Sequence, residues 1–468
     1  MELNISVGSI EGLPEEERKN LGELIEVYKS HQSKNSDKEK YYNGAISLRD
    51  VNIGIALPDD LSRLELGCEW GTKAVDVLAA RSMFDGFVGE AGKDNEILNQ
   101  ISKDNGLVAH YNAACKDELK FGCTFATLSA DQTIKCKIKF HSPQTAAALW
   151  DGEKNRIRCG FAIIDTVEDE SKKNTYVPSH INYYTDNAIF EIVRENGNSW
   201  IAQKKPHKMG RPLMVAMIWN ATSSKPFGRS RIKRTVRSLV DAHIRTIANA
   251  TIGLEFATSP QKYLLGVTDD QYDAIVNNKF KTYVGSLLAA TNNPETGDQP
   301  KFGQLAQGTL QPHIDMMRML ATQFAAETGL SVTDTGVIND ANPTSSDAIL
   351  AQSQTLVGLA EQLNAGNGDA LRTIARMALA IAENKKLDEL DDSADVIARF
   401  KNPAMPNVAS TTDAAIKIAG AREGFATTDV FLEMIGFSKA DVARIKAQEQ
   451  RARGLALVGD MDDIDDGE

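Results

Sequence analysis

Arg234, Arg237, Asp241 and Arg245 lie three or four residues apart, which places them on one face of any helix that contains them. A rung of guanidinium groups can do two kinds of chemistry. It can bridge to charges on neighbouring helices, or it can meet the phosphates of a nucleic acid. Both readings stay open on these residues alone. Groups for catalysis or metal binding are harder to find. Gly67-Cys-Glu-Trp-Gly71-Thr-Lys73 approaches a phosphate-binding loop, but the amides and the lysine converge on phosphate only with GxxxxGK(S/T) spacing, which is absent here. The seven histidines are scattered, with no HExxH pair and no cluster with cysteines, so no metal centre is expected. No serine occupies a GxSxG elbow. Asp460, Asp462, Asp463, Asp465, Asp466 and Glu468 lack the glycine and terminal glutamate of a calcium loop and read as a solvated tail. The expectation is a protein that is not an enzyme and takes no cofactor.

Charge narrows the function further. A net charge of −12 argues against a protein that grips nucleic acid through a basic surface. It does not argue against one that lets DNA slide past it, because every phosphate neutralised adds affinity through counterion release and hinders motion. A length of 468 residues allows several domains, each with its own core. No apolar stretch approaches the roughly 20 residues needed to cross a bilayer, so no membrane partner is expected. The first residues carry no basic segment followed by an apolar run, and no signal peptide is expected. The five cysteines all fall between Cys68 and Cys159 without a CxxC pair, and read as buried thiols of a reducing cytoplasm.

The elements that must position these residues change texture along the chain. LGELIEVYKSHQ reads as a short amphipathic segment, and Val51, Ile53, Ile55 and Leu57 alternate as a strand does. Helical spacing follows from Cys68 to Met83, then twice more in NEILNQISKDNGLVAHYNAACKDELKFG. Strand patterns come next: Ile134 to Phe140, with Lys135, Lys137 and Lys139 on one face, then CGFAIID, AIFEIVRE and PLMVAMIW. The lysine face reads either as solvated or as a contact to DNA or a protein shell. Residues 46–225 thus form a mixed α/β domain. A long helical pattern begins after Gly228 and stops at Pro260, and a compact insert occupies 261–310. A second helix starts at Pro312, where a missing N–H costs nothing. A loop without periodicity, 329–345, precedes a long Ala-rich helix from Ser346 to Asn384 with a possible break at Gly366-Asn367-Gly368. Helical patterns then run toward the acidic tail.

That order of parts, and several stretches of wording, resemble the portal proteins of tailed phages of the siphophage type. The stretches are LPDD with EWGTKAVDVLAARSMFDGF, GRPLMVAMIWN, FGRSRIKRTVRSLVDAHIRTIANATIGLEFATSPQKYLLG, HIDMMRMLATQFAAETGL, NPTSSDAILAQSQTLVGLAE, TTDAAIKIAGAREGF and VFLEMIGFS. The resemblance spans residues 45 to 450 or so and implies an α+β fold. Its parts would be a mixed α/β wing at 1–228 with a return helix at 346–386, and stem helices at 229–259 and 311–328. A small α/β clip would occupy 260–310, a tunnel loop 329–345, and a helical crown with the acidic tail 387–468. Such subunits form a ring, usually of about twelve copies, at one capsid vertex. Double-stranded DNA is packaged and ejected through the ring.

The implied partners are other copies of the chain, the terminase large subunit, a head–tail adaptor, and the major capsid and scaffold proteins. The implied location is the virion, reached by assembly in the host cytoplasm. Another phage capsid or connector protein is the alternative. Candidate channel residues are Arg234, Arg237, Arg245, Asp334, Asn339, Asp340 and Asn342. Candidate clip anchors are Tyr263, Tyr272, Phe280, Tyr283 and Phe302, since aromatic groups supply much of the energy at interfaces, though some would form the clip's own core.

Overall fold

The computed structural model describes residues 3, 5–47, 66–89, 95–168, 175–195, 199–258, 262–266, 297, 299, 301–304, 309–336, 346–390, 396–404, 408–437 and 441–452. The chain divides into two compact units, Met1–Pro403 and Ala404–Glu468. The expected strand at 51–57 and the acidic tail lie outside the described residues.

A short strand β1 (Ile10–Glu11) leads into α1 (Glu15–Tyr42), whose first turn carries Glu15, Glu16 and Glu17 at the positive end of the helix dipole. This helix is far longer than the amphipathic segment legible in the sequence. Its later half is too polar to show a stripe, and tertiary bonds hold it: Lys38 donates to the Phe121 carbonyl at 3.0 Å and the Tyr41 hydroxyl to Asp241 at 2.8 Å. Next come α2 (Trp70–Ala79), β2 (Phe84–Gly89), α3 (Glu96–Asp104) and α4 (Leu107–Phe121). The Asn95 side chain caps α3 by accepting from the Leu98 amide, and Gly106 separates α3 from α4 at φ +54°, a left-handed turn that glycine tolerates.

The strands follow in order: β3 (Cys123–Asp131), β4 (Lys135–His141), β5 (Ala146–Asp151), β6 (Arg156–Glu168), β7 (Tyr176–Tyr184), β8 (Ala188–Arg194), β9 (Trp200–Pro206) and β10 (Met214–Ile218). They build a six-stranded sheet ordered β1-β9-β8-β7-β6-β5 and a three-stranded sheet ordered β10-β3-β4. All these pairs are antiparallel except β1 with β9. Period-2 alternation serves both faces of the larger sheet. Cys159, Phe161 and Ile163 of β6 turn toward Leu21, Leu24 and Tyr28 of α1, while Ala162 joins the main core, as does Ile157, shifted to that face by a bulge opposite Leu149 and Trp150. Each large apolar side chain so buried contributes about 1.5–3 kcal/mol.

Beyond β10 lie α5 (Arg234–Thr258), the pair β11 (Lys262–Leu265) and β12 (Lys301–Gln304), α6 (Gln311–Thr328) and α7 (Ser346–Glu383). No break occurs in α7 at Gly366-Asn367-Gly368. Asn367 is wholly buried there, and its Nδ2 donates to Tyr111 Oη at 2.9 Å and to Glu118 Oε2 at 2.8 Å, which anchors the turn that its neighbours weaken. Leu371, Ile374, Ala375 and Ala378 carry the same helix through the main core. A last strand β13 (Val396–Phe400) pairs antiparallel with β2, so part of the segment 387–403 packs with the first unit.

The second unit holds α8 (Val408–Ala421), α9 (Asp429–Met434) and helical residues 441–452. Thr428 caps α9, Phe425 meets Phe431 edge-on, and Lys446 pairs with Asp429. Helices segregated from antiparallel sheets make this an α+β fold. Among the described residues, no helix is long and apolar enough to cross a membrane.

Candidate functional site

The two helices that flank the insert run antiparallel. Trp70 of α2 lies tilted against His243 of α5 at 4.3 Å and stacks on Phe324 of α6 at 4.8 Å. Further along, Gly253 of α5 lies against Leu310 and His313 at the start of α6. The 25 residues of α5 therefore carry the insert roughly 37 Å from the helix's first residue. Arg231 pins the opposite end. It is buried, and its guanidinium donates to the carbonyls of Ala74 and Thr328, tying α2 and the end of α6 to the start of α5. Burial pushes its pKa down to about 10, which still leaves it charged at neutral pH.

Of the insert, the structure describes chiefly a two-stranded pair. Tyr263 stands opposite Gly303 and Leu264 opposite Phe302. Cross-strand partners share a face, so Tyr263 and Leu265 project from one side and Phe302 from the other. Exposures of 45% for Tyr263, 58% for Leu265 and 55% for Phe302 leave both sides with large apolar groups in water. Tyr272, Phe280 and Tyr283 lie outside the described residues.

The arginine rung separates along α5. Asp241 accepts a hydrogen bond from Tyr41 of α1 at 2.8 Å, and the Arg237 guanidinium lies over the same Tyr41 ring. Arg245 is exposed. Arg234 and Arg237 line a cleft of about 570 Å³ between α1, β5 and the turn before α5. Lys34 and Lys38 enter this cleft from α1, Lys225 and Arg229 from the turn, and Lys233 from the foot of α5. Phe121, Phe125, Phe227 and Ala147 supply an apolar floor. Burial lowers the pKa of Lys38, and the nearby charges of Arg237 and Lys34 push the same way.

In the loop after α6, Asp334 closes a tight turn, accepting from the Ser331 amide at 3.0 Å and the Ser331 hydroxyl at 2.7 Å. Lys73 donates to the Asp334 carbonyl at 2.7 Å, which gives that lysine a structural task in place of a phosphate. Asn339, Asp340 and Asn342 lie outside the described residues. No cluster of His, Cys, Asp or Glu suited to a metal exists among the described residues. The cysteines are free and buried, and burial raises the thiol pKa of Cys68 to about 11 and of Cys123 to about 12.

A sequence profile of the family described as "Phage portal protein, SPP1 Gp6-like" matches residues 17–454. The chain belongs to that portal family. Portal proteins are structural components of the phage capsid vertex and its packaging apparatus, and they are not enzymes. The portal proteins of Mycobacterium phage D29 and Mycobacterium phage L5 are each 24% identical to this chain, with 95% of it and 91% of each relative covered. Among solved structures, a chain of the virion of a native gene transfer agent particle is 12% identical with a TM-score of 0.44, covering 86% of this chain and 99% of that one. A chain from the neck of the empty particle is also 12% identical, with a TM-score of 0.45 and coverages of 85% and 98%.

Within this portal chain, sequence reasoning missed the α1 side of the basic cleft. Lys34 and Lys38 stand four apart beside His31, a basic stripe that could have been noticed. Their partners on the turn follow almost two hundred residues later, and only folding brings the two groups together. It also missed Glu118, a carboxyl wholly buried in α4, because nothing in KDELKF distinguishes a buried acid from a solvated one.

Proposed function

We propose that the chain is the ring-forming subunit through which double-stranded DNA is packaged and ejected, and that its insert docks the terminase large subunit and then a head–tail adaptor. The observation that carries this reading is the antiparallel pair α5 and α6, which holds an insert with two exposed apolar faces far from the main core. A strand pair with large apolar groups exposed on both sides calls for partners. On this reading α5 and α6 are the stem, 260–310 the clip, 329–345 the tunnel loop, and 1–228 with 346–386 the wing. The crown follows from 387. A ring of about twelve copies contacts capsid and scaffold proteins at the vertex after assembly in the host cytoplasm. Arg245 and the 329–345 loop are the candidates for meeting DNA, and the net charge of −12 keeps the duplex mobile.

Two measurements test this. The purified full chain at micromolar concentration is expected to scatter light as a closed ring with a central hole in negative stain. A monomer at every concentration, with scaffold protein added or not, contradicts the reading. The variants Tyr263→Ala and Phe302→Ala, both at exposed positions, are expected to form normal rings and enter capsids. Each should weaken capture of the terminase large subunit or the adaptor by about tenfold or more, as loss of an interface anchor does. Unchanged capture by both variants removes the pair from the docking surface.

A further inference from the structure

We infer that the basic cleft between α1 and the foot of α5 is the acceptor half of the subunit–subunit contact, filled by an acidic segment with apolar side chains from a second copy of this chain. The inference rests on the ring reading above and names the contact on which the ring depends. Seven lysines and arginines line the cleft, and no Asp or Glu is among the described residues that do so. None of the seven forms an ion pair among the described residues, although surface lysines elsewhere do, such as Lys116 with Asp76 and Lys205 with Glu191. Arg237 also holds its buried Nε without a hydrogen-bond partner. So many like charges around one hollow repel each other until an anion arrives; burial is the chief cause that lowers the pKa of the half-buried Lys38, and the charges of Arg237 and Lys34 add to it.

Charge identifies the occupant. Taking the seven positive charges of the cleft from a net −12 leaves −19 on the rest of the chain, so a second copy is itself a strongly acidic partner. Rings close through heterologous contacts, in which one face of a subunit meets a different face of the next. A basic hollow on a chain with an acidic remainder suits that asymmetry. The floor separates protein from nucleic acid. Half-buried Phe227, with the buried Phe121 and Phe125 behind it, gives the hollow an apolar floor that a duplex backbone cannot cover, whereas a protein segment brings apolar groups between its carboxylates. Seven phosphate contacts per subunit would also hold DNA fast in a conduit that must release it.

The test compares the full-length wild type with the double variant Lys34→Glu/Arg234→Glu, chosen because both side chains are exposed and their reversal leaves the core intact. Thermal melting with circular dichroism establishes that the variant is folded, and the more conservative Lys34→Gln/Arg234→Gln serves if it is not. Sedimentation from about 0.1 to about 0.5 M NaCl reads assembly. The wild-type ring is expected to loosen as salt rises, and the variant to assemble at least about tenfold more weakly at low salt. A folded variant that assembles with wild-type concentration and salt dependence overturns the inference. A wild type that never assembles overturns the ring reading itself, and the cleft's occupant with it. Anisotropy of a labelled duplex of about 20 base pairs supplies the remaining arm. A variant that assembles normally but loses about tenfold in duplex affinity would make the cleft a phosphate site and overturn the inference.

Discussion

Replacing Gly71 with Ala is expected to lower the melting temperature of the full chain by roughly 5 °C or more and to reduce its soluble yield. A Cβ on Gly71 would stand 2.1 Å from the Tyr41 carbonyl oxygen and 2.7 Å from its carbon, with the Tyr42 nitrogen at 3.2 Å. Backbone lies on the far side of every one of these contacts, so no rotamer change relieves them. The end of α1 must move off α2. That shift breaks the hydrogen bond from the Thr72 hydroxyl to the Tyr42 carbonyl and disturbs Trp70, which is packed between α5 and α6. The cost is expected at about 3 kcal/mol or above, the upper range for overpacking. Gly67→Ala is the control. Nothing lies within 4 Å of its added Cβ, so a change within about 0.5 kcal/mol is expected. Equal melting of the two variants would dispose of the packing explanation for Gly71. The same pair separates close helix contact from phosphate binding as the reason for glycine in this segment.

Glu118→Gln is expected to flatten the dependence of stability on pH between about 4.5 and 8. Glu118 is wholly buried in α4, and burial pushes its pKa from 4.5 up to about 8, with the bond from Asn367 acting weakly the other way. The titratable groups coupled to it are Tyr111 and Cys115 of α4 and Cys123 of β3, all neutral in this window, and its shift has no cationic contribution. The sign follows from proton counting. Below pH 4.5 both the folded and the unfolded carboxyl hold a proton, and nothing is lost. Between 4.5 and 8 the unfolded chain releases its proton while the folded chain keeps it, so stability falls by about 1.4 kcal/mol per pH unit. Above 8 both are ionised and the loss levels off.

Over the whole window the loss is on the order of 5 kcal/mol. A glutamine keeps an acceptor for Asn367 and carries no charge, so it escapes the loss. Like the protonated carboxyl, it also supplies a donor where Glu118 Oε1 and Asn367 Oδ1 both lack a partner. Calorimetry at pH 5 and pH 8 checks this. The variant should match the wild type at the lower pH and melt several degrees above it at the higher one. Parallel slopes for the two proteins would mean that Glu118 is ionised in the folded state and stabilised by something other than its neighbours in α4, α7 and β3.

The elements that the sequence by itself determined are those whose apolar period is complete within one segment. Val236, Leu239, Val240 and Ile244 mark α5 because their spacing alone defines a buried stripe. Alternation with lysines marks β4 in the same way. The α+β class and the order helix, insert, helix, loop, long helix follow from such local patterns, and with them the portal resemblance. The length of α1, the continuity of α7 through Asn367 and the surroundings of Glu118 were decided only by tertiary structure. In each case the stabilising partner is distant in the chain: Phe121 for Lys38, Tyr111 for Asn367, and Asn367 for Glu118. The candidate site divides along the same line. Arg234 and Arg237 share a helix face by spacing, but their meeting with Lys34 and Lys38 required α1 and α5 to pack around β5. A period reports which face of an element is buried, and it carries no information about which other element covers that face.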